Sequence, residues 1–367
     1  MQNQEIKLVL EDGTEFVGKS FGFNKSVAGE VVFNTSMTGY PENLSDPSYT
    51  GQILVATYPL IGNYGVPEEE KEDGLLKYFE SEKMRISALV ISDYSFSYSH
   101  WNSKKSLANW LKENKIPGIY GIDTRALTKI IRERGAMLGK VVCNNSDIDF
   151  YDPNKEDLTK QVSTPDVVIY GNGRYRIILL DCGVKNNIIR NLLKRNTTVI
   201  RVPSDYDFTT LEYDGLFLSN GPGDPKLAAE AIRNVRRAYE IGKPIMGICL
   251  GCQIMALASG ADTYKLKYGH RSHNQPVLQV GTNRCFITSQ NHGFAIAENS
   301  IPNEWEPLFI NVNDQTIEGI RHKSKPFFAA QFHPEASSGP TDTEYLFDDF
   351  IKLVAENSPE KNSPEGA

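Results

Sequence analysis

Cysteine is scarce in this chain of 367 residues: five copies, at positions 143, 182, 249, 252 and 285. An odd, scattered set excludes a disulfide framework and points to a reducing compartment, with the cytoplasm as the expected location. Positive charge is also short. Lys and Arg number 39 against 46 Asp and Glu, a formal net charge of −7, which disfavours nucleic-acid binding through a basic field. The opening MQNQEIKLVLEDGTEF lacks the basic stretch and apolar core of a secretory signal. Long apolar runs are missing too. The nearest case, PIMGICLGCQIMALASGA at 244–261, is uncharged over 18 positions. However, Pro244 opens it, and Gly247, Gly251, Gln253 and Ser259 lie inside it. A buried strand, a tight turn and a buried helix fit those residues better than a membrane span.

At about 150 residues per domain, the length suggests two domains, or three. Residues 1–150 read as short strands and turns with a few helices. Lys7–Leu10 and Thr14–Val17 flank Glu11-Asp12-Gly13, a hairpin signal. Ser106–Lys115 and Thr124–Arg134 have helical spacing, the second capped by Asp123 or Thr124. Residues 151–174 turn polar and read as a linker ending in Gly171-Asn172-Gly173. From 175 to 357 the rhythm changes. Apolar runs at Ile177–Leu180, Val199–Val202, Gly215–Leu218 and Ile245–Ile248 alternate with helical patterns at Asn187–Arg195, Lys226–Tyr239 and Leu250–Ala258. That alternation predicts an α/β domain, its mostly parallel sheet covered by helices, after an N-terminal mixed α+β domain. Residues 358–367 are poor in apolar side chains and are expected to be disordered.

Gly247-Ile248-Cys249-Leu250-Gly251 stands between a predicted strand and a predicted helix. This is the G-x-nucleophile-x-G elbow with Cys in the nucleophile position. The sharp turn needs small neighbours. The unpaired N–H groups of the helix's first turn favour a thiolate and a developing oxyanion. The alternative is a buried structural Cys. A thiolate nucleophile needs a base and an orienter. Gln331-Phe332-His333-Pro334-Glu335 follows the apolar Phe327–Ala330. In an extended segment His333 and Glu335 point to the same side, although such a pair is as easily a solvated surface pair. Leu218–Pro225 (LSNGPGDP) supplies glycines that let backbone approach a ligand, or a plain turn. That loop has no phosphate-binding fingerprint. Cys249-x-x-Cys252 also allows redox chemistry, and with His270 and His273 a zinc site, but the Cys pair sits at a helix start rather than on a knuckle.

The motifs GICLGCQ, SQNHGFAI and QFHPEA, with SNGPGDP upstream, resemble the class I (triad) glutamine amidotransferases. GEVVFNTSMTGYPENLSDPSYTGQILVATYPLIGNYG and GIDTRALTKIIRERGAM are similar to the small, glutamine-hydrolysing subunits of carbamoyl-phosphate synthetases. The likeness covers about residues 5 to 355. It implies that Cys249 attacks the glutamine amide to form a γ-glutamyl thioester, that His333 moves the proton, and that Glu335 orients His333. It implies glutamine contacts at Ser48, Gly221, Gly223, Leu250, Gln253, Asn291, Gly293 and Phe294, with the N–H groups of Gly223 and Leu250 facing the oxyanion. Phe294 and Asn291 also read as core and turn residues. It further implies an internal ammonia tunnel to a large synthetase subunit that makes carbamoyl phosphate from bicarbonate and two ATP, for arginine and pyrimidine biosynthesis. ATP and divalent metal ions would belong to that partner. No cofactor, metal, nucleic acid or membrane is expected for this chain.

Two positions depart from the family pattern. Cys252 stands where many relatives have His, and Ser272-His273 where a Gly pair is common. Cys252 lies one helical turn from the nucleophile and so is a candidate for a disulfide or for competing reactivity. Other readings remain: a structural or regulatory subunit with little catalysis of its own, or an amidotransferase or hydrolase serving another synthetase.

Overall fold

The computed structural model describes residues 4–358; the expected disordered tail lies outside the described residues apart from Ser358. The chain divides into two compact units, Met1–Glu156 with Lys267–Ser272, and Asp157–Leu266 with His273–Ala367.

The first unit is built on a closed barrel. Its strands are β1 (Glu5–Leu10), β2 (Glu15–Ser20), β3 (Val27–Asn34), β4 (Gln52–Ala56), β5 (Ala88–Val90), β6 (Gly118–Tyr120) and β7 (Met137–Cys143). They close in the order β1-β7-β3-β4-β5-β6-β2. The hairpin read at the N-terminus is β1–β2, antiparallel, with Gly13 at φ +85° in its turn. Residues 13–20 spell G-x-x-x-x-G-K-S, the letters of a phosphate loop. Here they form a turn and a strand with no helix behind them, so the backbone cradle such a loop needs is missing from this segment. Period-two alternation splits each strand between two cores. Val31, Ile53 and Val55 join Ile6, Leu8 and Leu127, while Val32 and Leu54 join Phe21, Phe79 and Trp110. Helix α1 (Leu107–Glu113) belongs to the second of these cores. Helix α2 (Thr124–Arg134) belongs to the first and is capped by Asp123, whose Oδ1 accepts the Ala126 N–H at 2.9 Å. Lys267–Ser272 sits in this unit because its backbone is bonded there. The Ala136 N–H donates to the Lys267 carbonyl at 2.7 Å, and the Thr35 N–H to the Arg271 carbonyl at 3.2 Å.

The second unit is built on a ten-stranded sheet, one long strand of which includes the residues 267–272 grouped with the first unit. Its strands are β8 (Val168–Tyr170), β9 (Tyr175–Asp181), β10 (Thr197–Pro203), β11 (Gly215–Leu218), β12 (Ile245–Ile248), β13 (Thr263–Gln279), β14 (Cys285–Ile296), β15 (Trp305–Asn311), β16 (Ile317–His322) and β17 (Phe327–Ala330). Their order is β8-β10-β9-β11-β12-β17-β16-β14-β13-β15. Strands β10, β9, β11, β12 and β17 form the parallel core. Both of its faces are covered, so its strands read as unbroken apolar runs. Leu216 and Leu218 face a core shared with α4 (Ala229–Ile241) and α5 (Leu250–Ser259), after α3 (Asn186–Leu193) in the chain. Phe217 points the other way and stacks on Phe347 of α6 (Tyr345–Glu356), ring centroids 5.6 Å apart.

Two expectations need correction. Residues 151–174 are not a free linker. Val168-Ile169-Tyr170 is an edge strand antiparallel to β10, with Ile169 opposite Ile200, and Leu158 and Val162 are buried. The β-branched pair inside a polar stretch was the signal. The sheet is also extended by an antiparallel flank, β13 to β16, whose mixed polar strands do not stand out by periodicity. The uncharged run at 244–261 resolves into β12, a turn and α5. Among the described residues no helix is long and apolar enough to cross a membrane.

Candidate active site

Strand β12 ends at Ile248, and α5 begins at Leu250. Between them Cys249 holds φ +53° and ψ −106°, a region that costs a side-chain-bearing residue about 1–3 kcal/mol. Tight packing holds it there. The Cys249 N–H donates to the Ala330 carbonyl at 2.9 Å. A Cβ on Gly251 would fall 2.4 Å from the Leu218 carbonyl oxygen, and one on Gly247 would fall 2.7 Å from the Gly251 carbonyl carbon. Both elbow glycines are therefore required by close approach rather than by flexibility. The Cys249 Sγ lies 3.7 Å from the Asn291 carbonyl oxygen.

Cys249 and His333 are 84 positions apart, yet the topology makes them neighbours. β12 and β17 are adjacent and parallel, with Ile248 opposite Ala330. Both chains leave the sheet at the same edge, one into Cys249 and the other into His333. The His333 N–H is fixed on the Ser289 carbonyl at 2.9 Å. Its Nδ1 lies 2.7 Å from Glu335 Oε1, and both side chains are almost wholly buried. The pair is not made in the extended geometry expected from spacing. The Ala336 N–H returns to the His333 carbonyl at 3.0 Å, closing a turn that brings the Glu335 carboxylate to the ring's Nδ1. Burial alone would push the imidazole's pKa down. The Glu335 carboxylate and the Cys249 sulfur outweigh it and raise His333 well above its ordinary value. Burial likewise opposes the Glu335 charge, and the Lys185 ammonium and His333 overcome it, holding the carboxyl below its ordinary range.

Lys185 was not found from sequence. Its Nζ lies 3.1 Å from Glu335 Oε1 and donates to the Ala336 carbonyl at 2.5 Å, with the residue 4% exposed. Nothing in its spacing marks it. Only its place just after a buried strand, in Cys182-Gly183-Val184-Lys185, hints that it is enclosed. His273, noted as a departure, reaches the same region: its Nε2 lies 3.3 Å from Ser338 Oγ. Burial first, then the Lys185 and His333 charges, push its pKa down to about 4, so its ring is neutral at pH 7.

The remaining expected residues fall in three places. Gly221 and Gly223 lie on the loop after β11. A Cβ on Gly221 would fall 2.0 Å from the Cys182 carbonyl oxygen and 2.8 Å from the Leu250 side chain, while Gly223 has φ +87°. Asn291, Gly293 and Phe294 lie on β14, which Gln253 ties to α5. The Gln253 amide donates to the Phe294 carbonyl at 2.9 Å and to Gln331 Oε1 at 3.1 Å. Ser48 lies in the first unit, on the turn Pro47–Tyr49, its N–H held by Asp46 Oδ1 at 2.9 Å. Cys252 is fully buried. Burial, then the neighbouring Cys249 sulfur, hold its thiol well above the ordinary range, and both cysteines are free. Competing reactivity at Cys252 is thus disfavoured.

Taken together, the second unit offers a sulfur nucleophile at a helix start, an imidazole facing it, and a carboxylate–ammonium pair behind the imidazole. Such a set can run acyl transfer through a thioester.

Comparison with known proteins agrees with this chemistry. Residues 8–141 match the profile of the carbamoyl-phosphate synthase small chain, CPSase domain, and residues 178–353 that of glutamine amidotransferase class-I. The chain is 47% identical over 363 residues to the carbamoyl phosphate synthase arginine-specific small chain of Aspergillus fumigatus, covering 96% of this chain and 80% of that protein. It is 53% identical over 356 residues to the mitochondrial carbamoyl-phosphate synthase (ammonia) of Homo sapiens, covering 96% of this chain and 24% of that protein. It is 55% identical over 354 residues to the multifunctional protein CAD of Squalus acanthias, covering 95% of this chain and 16% of that protein. The chain therefore spans a quarter or less of those two longer relatives.

Proposed function

The chain belongs to the carbamoyl-phosphate synthase small-chain family, and from that premise we propose that it hydrolyses L-glutamine to glutamate and ammonia and hands the ammonia to a synthetase partner. The observation that carries the reading is the buried His333, bonded through Nδ1 to Glu335 and carried just past the end of β17, beside the end of β12 that carries Cys249.

In this reading the Cys249 thiol proton passes to His333, and the sulfur attacks the glutamine side-chain carbonyl. The S–C bond forms and the C–N bond breaks. His333 returns the proton to the departing nitrogen, which leaves as ammonia. Water, activated by the same imidazole, then cleaves the thioester to glutamate and frees the thiol. Leu250 is the first helical residue, so its N–H is unclaimed by the helix ladder and available to an oxyanion, with the Gly223 N–H as the second donor. Gly221, Gln253, Asn291, Gly293 and Phe294 would frame the glutamine. Glu335 keeps the imidazole in one orientation, and Lys185 keeps Glu335 charged.

The partner would be a large synthetase chain that receives ammonia through an internal tunnel and uses bicarbonate and two ATP to make carbamoyl phosphate, feeding arginine and pyrimidine biosynthesis. ATP and divalent metal ions act on that partner in this account, and this chain contributes no cofactor. The five free thiols fit a reducing compartment, and we assign the reaction to the cytoplasm.

The test is direct. Acid-quench the chain with glutamine in the presence of its synthetase partner, and look by mass spectrometry for a glutamyl adduct on Cys249. An adduct at Cys249 supports the reading. Glutamine turnover without any adduct there overturns Cys249 as the nucleophile, and no turnover leaves a structural or regulatory subunit as the better description.

A further inference from the structure

Lys185 reaches Glu335 from a short turn, and that turn is held by a buried carboxylate the proposed reaction does not use. Asp181, the last residue of β9, is fully buried. Its Oδ1 accepts the N–H groups of Gly183 at 2.9 Å and Val184 at 2.8 Å. Its Oδ2 accepts the Thr164 N–H at 2.7 Å and Arg201 Nε at 2.8 Å, with a second Arg201 nitrogen at 2.6 Å. The neighbouring backbone is fixed as well: the Cys182 N–H donates to Ser219 Oγ at 2.9 Å, and the Lys185 N–H to Asn220 Oδ1 at 3.1 Å. There is no slack in the turn. Gly183 holds φ +123°, and a Cβ there would fall 2.9 Å from Val162 and 3.1 Å from the Gly221 Cα.

We propose that Asp181 is a positioning residue for glutamine hydrolysis: by clamping the 182–185 turn it sets where the Lys185 ammonium meets Glu335, and through Glu335 how His333 stands against Cys249. The inference rests on the glutaminase reading above.

The physical case is one of geometry. A buried ammonium is tolerated only where its partners stand at bonding distance. Lys185 has a flexible stem, so its head can be placed reproducibly only if its backbone is fixed. Two N–H bonds to one carboxylate fix it, and Arg201 balances the charge that a buried Asp181 brings. Asn in place of Asp cannot serve all five donating nitrogens, because its amide end presents N–H groups to either the turn or the Thr164 and Arg201 side. The turn then shifts, and an error near an ångström at a reacting constellation costs on the order of a hundredfold in rate.

The experiment uses the full chain with its synthetase partner and measures glutamine hydrolysis as a function of pH. The variants are Asp181→Asn, Lys185→Met and the double variant, with Cys249→Ser as control. Asp181→Asn is expected to lower kcat by about ten- to a hundredfold while KM changes little. Its acid limb should move to higher pH, because a displaced Lys185 no longer holds Glu335 ionised. The charged and titratable groups around Glu335 are Lys185 and His333, with Cys249 and His273 beyond the imidazole. The double variant should be no slower than Lys185→Met alone. A merely structural role would lower the amplitude without moving the limb and would add its cost to that of Lys185→Met; either result overturns the proposal. If Asp181→Asn is unfolded at the assay temperature, Arg201→Gln, which removes the balancing charge and its two bonds to Asp181 Oδ2 but leaves the Oδ1 bonds to the turn, is judged by the same two criteria. Loss of hydrolysis in Cys249→Ser with an unmoved Asp181→Asn profile sinks this inference alone. Retained hydrolysis in Cys249→Ser sinks the underlying reading instead.

Discussion

Lys185 and Glu335 form a nearly water-free ion pair, Nζ to Oε1 at 3.1 Å, directly behind the imidazole of His333. Removing one member of such a pair strands the other charge in the interior, which typically costs about 3–5 kcal/mol. Lys185→Met is therefore expected to lower thermal stability and to slow glutamine hydrolysis together. Calorimetry and a glutaminase assay on one preparation check this. An unchanged melting temperature with unchanged rate would show that the pair carries neither role.

The same pair gives a signed pH dependence. The folded pKa of Glu335 lies below its unfolded value. Its ionised form therefore stabilises the fold above the unfolded pKa of about 4.3, and that stabilisation is lost as pH falls through the lower folded value. Urea denaturation of wild type and Glu335→Gln at a series of pH values should give curves that differ most near neutrality and converge in acid.

Glu335→Gln should also move the alkaline limb of kcat/KM. The carboxylate supports the charged imidazole, so His333 loses its proton more readily without it. The limb is expected to shift to lower pH by about one unit or more. A limb that stays in place would mean that His333 is not the group titrating there.

The elbow can be probed through its glycines. A methyl at Gly251 meets the Leu218 carbonyl oxygen at 2.4 Å. Gly251→Ala should destabilise by about 1–3 kcal/mol and misplace the sulfur. Chemical denaturation and alkylation by iodoacetamide report the two effects separately. Wild-type stability and reactivity together would contradict the tight packing described for the turn.

How much of this was legible beforehand differs from element to element. The spans Thr124–Arg134, Gly215–Leu218 and Ile245–Ile248 were readable as they stand, because a capped amphipathic helix and unbroken buried strands have strong local signatures. Cys249 was legible because an elbow demands small residues on both sides. Lys185 was not, since its role comes from two contacts with residues 150 and 151 positions away. The hydrophobic pattern around it only says that a strand has ended. The closing of the barrel likewise depends on pairing between distant strands, such as β1 with β7. Periodicity reports which face of a strand is buried but not which strand it meets. The His333–Glu335 contact was expected for the wrong local reason: the residues meet across a turn, which i to i+2 spacing also permits.

The central claim is that the sulfur of Cys249 breaks the glutamine amide bond. The most direct measurement compares wild type and Cys249→Ser, each with the synthetase partner, making carbamoyl phosphate from glutamine and, separately, from added ammonia. The expected result is a fall of about three orders of magnitude or more with glutamine and an unchanged rate with ammonia. A Cys249→Ser complex that uses glutamine as fast as wild type would contradict the account.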